Sequence, residues 1–119
     1  MAVGGKIMVK SVSDEPEVIL AHWGVMQQNL VGFRLVGVHA ATGVARVTSP
    51  IVEFEEMAMT AKTESGRTYR LRGPADPDAA AEMIHKHIRM WGLTVHDVAM
   101  ADISDLALAL PRNPQGSWH

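Results

Sequence analysis

The order of apolar and polar positions divides the chain into segments of different period. In SVSDEPEVILAHWGVMQQNL, the residues Val18, His22, Trp23, Met26 and Leu30 recur at helical spacing. Ser13 offers a side-chain acceptor to the first free amides, and Pro16 with Asp14, Glu15 and Glu17 suits a first helical turn, where the dipole favours negative charge. The spacing predicts a first helix. Gly24 weakens it from within, since an interior glycine costs about 1 kcal/mol relative to alanine. The preceding KIMVKSV reads as a short strand or an ordered arm.

Beyond Leu30 the period shortens. GFRLVGVHA and VARVTSPIVEFE, separated by Ala41-Thr42-Gly43, have the branched content of a hairpin whose glycine takes positive φ. Pro50 cannot donate to a ladder, so the second strand lies at a sheet edge there or is broken by a bulge. Alternation then directs Val52 and Phe54 inward and Glu53 and Glu55 outward. A second hairpin follows, with MAMTAKT and RTYRLRG around Glu64-Ser65-Gly66. Setting Thr63 across from Arg67 pairs Ala61 with Tyr69 and Met59 with Leu71 on one face, and Lys62 with Thr68, Thr60 with Arg70 and Ala58 with Arg72 on the other. Tyr69 and Leu71 are expected in the core and Arg70 and Arg72 outside, beside Glu53 and Glu55. Arg67 shares the parity of Tyr69 but sits at the turn, where it is expected to escape to water.

GPADPDAAAEMIHKHIRMWGL carries the clearest helical pattern. Asp76 or Asp78 caps it, Pro77 suits its first turn, Ala80, Ile84, His87, Ile88 and Trp91 form one stripe, and Gly92 ends it. TVHDVAMADISDLALAL fits both a strand and a short helix, with Thr94 and Ser104 as candidate caps. The expected fold is α+β: one domain over 1–110, built as an antiparallel meander of three to five strands with two or three helices packed on one face, then a flexible tail over 111–119.

Composition narrows the function classes. The 119 residues include 47% hydrophobic and 20% charged positions, as in a globular chain that folds unaided. Eleven basic against 13 acidic residues give a formal charge of -2, so no general positive field exists to hold a polyanion. The absence of cysteine removes thiolate chemistry and disulfides. No signal-type apolar run opens the chain, because Lys10, Asp14 and Glu15 interrupt it. A cytoplasmic location is expected.

Candidate chemistry is sparse. His85 and His87 stand roughly 200° apart on a helix and cannot chelate one ion, and His87 reads as a partly buried histidine with a satisfied hydrogen bond. His96, Asp97 and Asp102, with Asp105, hold the ingredients of a metal-assisted enzyme without a recognisable spacing; acids of this kind more often cap helices and turns. No serine-nucleophile elbow or phosphate-cradling loop occurs. No catalytic residue, metal or cofactor is therefore expected. The eight methionines, among them Met57, Met59, Met83 and Met90, read as core filler, with a surplus available to a homodimer interface through Trp23 or Trp91.

The segments ATGVARVTSPIVEF, TESGRTYRLRGP and MWGLTVHDV, in that order, resemble a group of small uncharacterised proteins carried on plasmids, phages and integrated elements of proteobacteria. Ser49-Pro50, Ser65-Gly66-Arg67 and Gly73-Pro74 carry the resemblance. It implies genomic context and no activity; small proteins of such elements often bind a host or rival component, as anti-CRISPR inhibitors do. The expected function is a non-enzymatic protein-binding protein, an inhibitor or accessory factor. Its partner face would hold Lys62, Arg67, Arg70 and Arg72 with Glu53 and Glu55. A nucleic-acid-binding module on the same arginines is the alternative.

Overall fold

The computed structural model describes residues 10–110. Its elements in chain order are β1 (Glu17–Gln28), β2 (Gly32–His39), β3 (Ala45–Val47), β4 (Ile51–Glu55), β5 (Thr60–Thr63), β6 (Thr68–Leu71), α1 (Pro77–Met90), β7 (Val98–Ala101) and α2 (Ile103–Ala109). The fold is α+β, as its alternating segments foretold. Among the described residues the sheet has seven strands, more than the three to five expected, and it is not a plain meander, because β1 pairs in parallel with β6. The arm or strand expected over 6–12 lies mostly outside the described residues, and the tail expected over 111–119 lies wholly outside them.

The largest correction concerns β1, which was expected to be a helix. Val18, Leu20, Ala21, Trp23, Val25 and Met26 are all buried. A central strand covered on both faces loses the polar alternation that marks a half-exposed strand. Neighbouring strands make β1 central. β2 runs antiparallel along one side of β1, while the other side is shared by β6 at residues 17–20 and β7 at residues 25–28.

Strand order then dictates that the sheet rolls. The path runs β3-β2-β1-β6-β5-β4, so β3 and β4 are its two ends, yet only Thr48, Ser49 and Pro50 join them. Three residues span at most about 11 Å, so the ends must meet. Thr48 N–H donates to Leu35 O at 2.9 Å, Glu64 N–H donates to Pro50 O at 2.8 Å, and β2 touches β4. β3 and β4 thus act as one bent strand, its first half on β2 and its second on β5. Pro50 sits at the bend, where no ladder donor is needed.

The rolled sheet encloses Val18, Leu20, Trp23, Val25, Leu35, Ile51, Phe54, Ala61, Tyr69 and Leu71, and α2 adds the fully buried Leu106. α1 lies on the opposite face of β1 and β2, where Ala80 and Ile84 meet Met26 and Val36. The two helices therefore do not share a face, contrary to expectation. Each is capped by an aspartate: Asp76 Oδ1 accepts from Ala79 N–H, and Asp102 and Asp105 form a reciprocal capping box. Thr94 and Ser104, the expected caps, do not fill that role.

The β5–β6 hairpin has the expected register, with Thr60 opposite Arg70, Ala61 opposite Tyr69 and Lys62 opposite Thr68. Gly66 in its loop adopts a φ of 92°, and Gly43 between β2 and β3 one of 75°. In β4 a register shift between Ile51 and Glu53 changes the parity, so Ile51 and Phe54 face inward and Val52 is exposed, against the expected Val52–Phe54 pair.

Gly24 has its reason in α1. A Cβ added there would lie 2.3 Å from Ala80 Cβ, so the helix rests on the bare backbone of β1. Gly24→Val should destabilise the fold by about 1–3 kcal/mol through overpacking. Gly24→Ala should be rescued in part by Ala80→Gly, as read from urea unfolding of the two singles and the double.

Candidate functional site

Register places the charged side chains of β4, β5 and β6 in two rows on the outer face of the rolled sheet. One row runs Glu53, Lys62, Thr68 and Glu17; the other runs Glu55, Thr60, Arg70 and Ile19. Glu53, Glu55, Thr60, Lys62 and Thr68 line a shallow groove of about 430 Å³. Lys62, Arg70 and Arg72 are exposed, and Glu53 and Glu55 are half-buried.

Arg70 does not pair with Glu53 or Glu55. Its Nη2 donates to Glu17 Oε2 at 3.0 Å, because β6 lies between β5 and β1. Both partners are about half exposed, so the pair contributes roughly 0–1 kcal/mol. The sequence pattern does not signal this partner, because Glu17 reads there as part of a helical first turn. Among the described residues, Lys62, Arg72, Glu53 and Glu55 make no side-chain ion pair.

Arg67 is the correction within the expected set. Its parity with Tyr69 holds, but it does not reach water: it is 5% exposed. Its Nε donates to Glu15 O at 2.9 Å and its Nη2 to Lys10 O. It cannot serve an outer binding face. Instead it fastens the segment preceding β1, which His39 fastens a second time. Ala41 N–H donates to His39 Nδ1 at 3.2 Å, so the hydrogen sits on Nε2 and is donated to Glu15 Oε2 at 3.0 Å. This bond, with the nearby charges of Arg46 and Lys10, holds the Glu15 carboxyl below its ordinary value.

The other candidates serve local structure. Asp97 Oδ2 accepts from Thr94 N–H and Oγ1, which depresses its titration, and Asp102 is held low by the Ser104 hydroxyl and then the Asp105 amide. Among the described residues no three His, Asp or Glu side chains gather around a metal position. His87, expected to have a satisfied hydrogen bond, has none at Nε2 among the described residues, and burial and then the Arg34 charge hold its protonation below the ordinary histidine value. Trp23 is buried and unavailable to a dimer, while Trp91, expected on the core stripe of α1, is 69% exposed. Met57 and Met90 are also exposed, against the expectation of core filler. Among the described residues no helix is long and apolar enough to cross a membrane.

The chain matches no protein-family model, no curated protein and no solved structure.

Two outcomes separate these roles. Arg67→Met should lower stability by about 1.5–3 kcal/mol, the range for buried charged hydrogen bonds, while Arg72→Met should stay within about 0.5 kcal/mol in the same denaturation assay. The depressed Glu15 carboxyl contributes stability above its unfolded value near 4.5, lost as pH falls through the lower folded value. Glu15→Gln should flatten that acid limb of a pH–stability profile.

Proposed function

We propose that this chain is a non-enzymatic intracellular protein-binding protein, encoded by a mobile element as an inhibitor or accessory factor of the anti-CRISPR kind. The binding face in this reading is the outer surface of β4, β5 and β6, carrying Lys62, Arg70 and Arg72 beside Glu53 and Glu55. The supporting observation is the fixed two-row arrangement of Glu53 with Lys62 and of Glu55 with Arg70 on a rolled, hydrogen-bonded sheet, with Arg72 just past the end of β6 and four of the five charges free of ion pairs among the described residues. Such a face presents complementary charge to a partner without first breaking internal bonds, which favours rapid and selective association. Asp97 and Asp102 are occupied as turn and helix caps, which weakens the metal-assisted reading.

A nucleic-acid module on the same face is less favoured. Tyr69, the aromatic among the arginines, is 3% exposed, so its ring is not offered for base stacking.

Affinity capture from host lysate should compare wild type with the Lys62→Glu, Arg72→Glu double variant, because Arg70 is already tied to Glu17. The expected result is a protein captured by wild type and depleted at least tenfold by the variant. Equal capture by both would overturn the assignment to this face. Capture of nucleic acid alone, lost steeply with salt, would favour the alternative.

A further inference from the structure

The side of α1 away from its capped start overhangs β3 and encloses a second concavity. Ala45, Arg46 and Val47 line it from β3, and Met83, Lys86, His87 and Met90 from α1 with Trp91 at its C-cap, around about 310 Å³. That volume is at the lower end of small-molecule sites. Positions 83, 86, 87, 90 and 91 share one face of a helix, so the sequence stacks two methionines, a tryptophan, a lysine and a histidine along one wall. Trp91 is mostly exposed and stands at a ring-centroid distance of 6.1 Å from His87.

Two buried side-chain nitrogens lack hydrogen-bond partners among the described residues, Arg46 Nη1 and His87 Nε2. Both residues line this one cavity. His87 is 8% exposed, so its ring is largely shielded from bulk solvent. Among the described residues no carboxylate lines the cavity, whereas Lys86 and Arg46 do, and the Arg34 guanidinium acts on His87 from β2. A site with apolar walls, two unpartnered polar nitrogens and the positive charge of Lys86 and Arg46 is complementary to an apolar body bearing an anionic group. The C-terminal carbonyls of α1 oppose an anion, but that effect fades within the last turn, and Lys86 and Arg34 oppose it in return.

We infer that the cavity between β3 and α1 binds a small organic carboxylate with an aromatic or aliphatic body. The body lies against Met83, Met90 and Trp91, and the carboxylate accepts from His87 Nε2 and faces Lys86. The site is separate from the outer face of β4 to β6, and neither reading depends on the other.

The experiment is an NMR titration of the full chain with three probes of one shape: phenylacetate, phenylacetamide and phenethylamine. Phenylacetate should shift the His87 ring and the Trp91 indole saturably and raise the pH at which His87 titrates, because an adjacent anion favours imidazolium. Phenylacetamide should bind at least fivefold more weakly, and phenethylamine should leave both resonances in place. Lys86→Met, an exposed position that leaves the fold intact, should weaken phenylacetate at least threefold and leave phenylacetamide unchanged. Failure of phenylacetate to perturb either residue, or equal binding of all three probes, would overturn the proposal. So would shifts indifferent to Lys86→Met.

Discussion

One extra residue in β1 sets the geometry on which the other elements depend. Ala21 pairs with Val38 and Gly24 with Val36, so β1 advances three positions while β2 advances two. Before the bulge Val18 and Leu20 face the enclosed side; after it Trp23 and Val25 do. A regular strand would carry the parity of Val18 and Leu20 onward to Gly24, and would turn the indole of Trp23 toward α1 where there is room only for a glycine. His22 takes the displaced position with a φ of 48°, a left-handed conformation that costs roughly 1–2 kcal/mol. Its Nδ1 meets Asp76 Oδ2 at 3.0 Å, and the same aspartate caps α1 through Ala79. Asp76 N–H in turn donates to Trp23 O at 2.8 Å. The bulge and the helix start therefore stabilise each other, and the Trp23 indole completes the junction by donating to Gly73 O.

The legible parts of the fold were those with unlike surroundings on their two faces. In β5 and β6 one side meets the core and the other meets water, so alternation fixes the register without knowledge of the partners. α1 is similarly one-sided, and Asp76, Pro77 and Gly92 mark its ends. β1 gives no such contrast, since α1 covers one face and the rolled sheet fills the other. Its apolar run matched a helical stripe as well as a strand, and the bulge broke the two-residue period that would have separated them. The register shift in β4 misled in the same manner, moving Ile51 rather than Val52 inward.

The candidate face was legible to the same depth. Local alternation placed Lys62, Arg70 and Arg72 outside, because only the adjoining hairpin was needed. Partners were not legible, since they come from far along the chain. Glu17 reaches Arg70 across 53 positions and Glu15 O reaches Arg67 across 52. Arg67 shows the consequence. A long cation beside a turn reads as solvated, and only closure of the sheet against the preceding segment brings carbonyl oxygens to its guanidinium. Its charge then stabilises the enclosure instead of a partner.

The two clusters of positive charge differ in what an empty partner position means. Lys62 and Arg72 are exposed, water satisfies their donors, and screening within about 10 Å limits what they impose on the molecule. Their lack of ion pairs leaves the fold almost unaffected. His87 Nε2 is buried without a partner among the described residues, and a buried polar group left unpaired costs about 1–3 kcal/mol. Filling that position with methionine or leucine would remove the cost, and α1 already carries both a methionine and an isoleucine on neighbouring turns at Met83 and Ile84. A histidine held there with its nitrogen unpartnered, under the charge of Arg34 and beside Lys86, opposes the stability of the isolated chain. The arrangement becomes favourable once an anionic acceptor occupies the cavity, since the same acceptor satisfies the imidazole and offsets the surrounding charge.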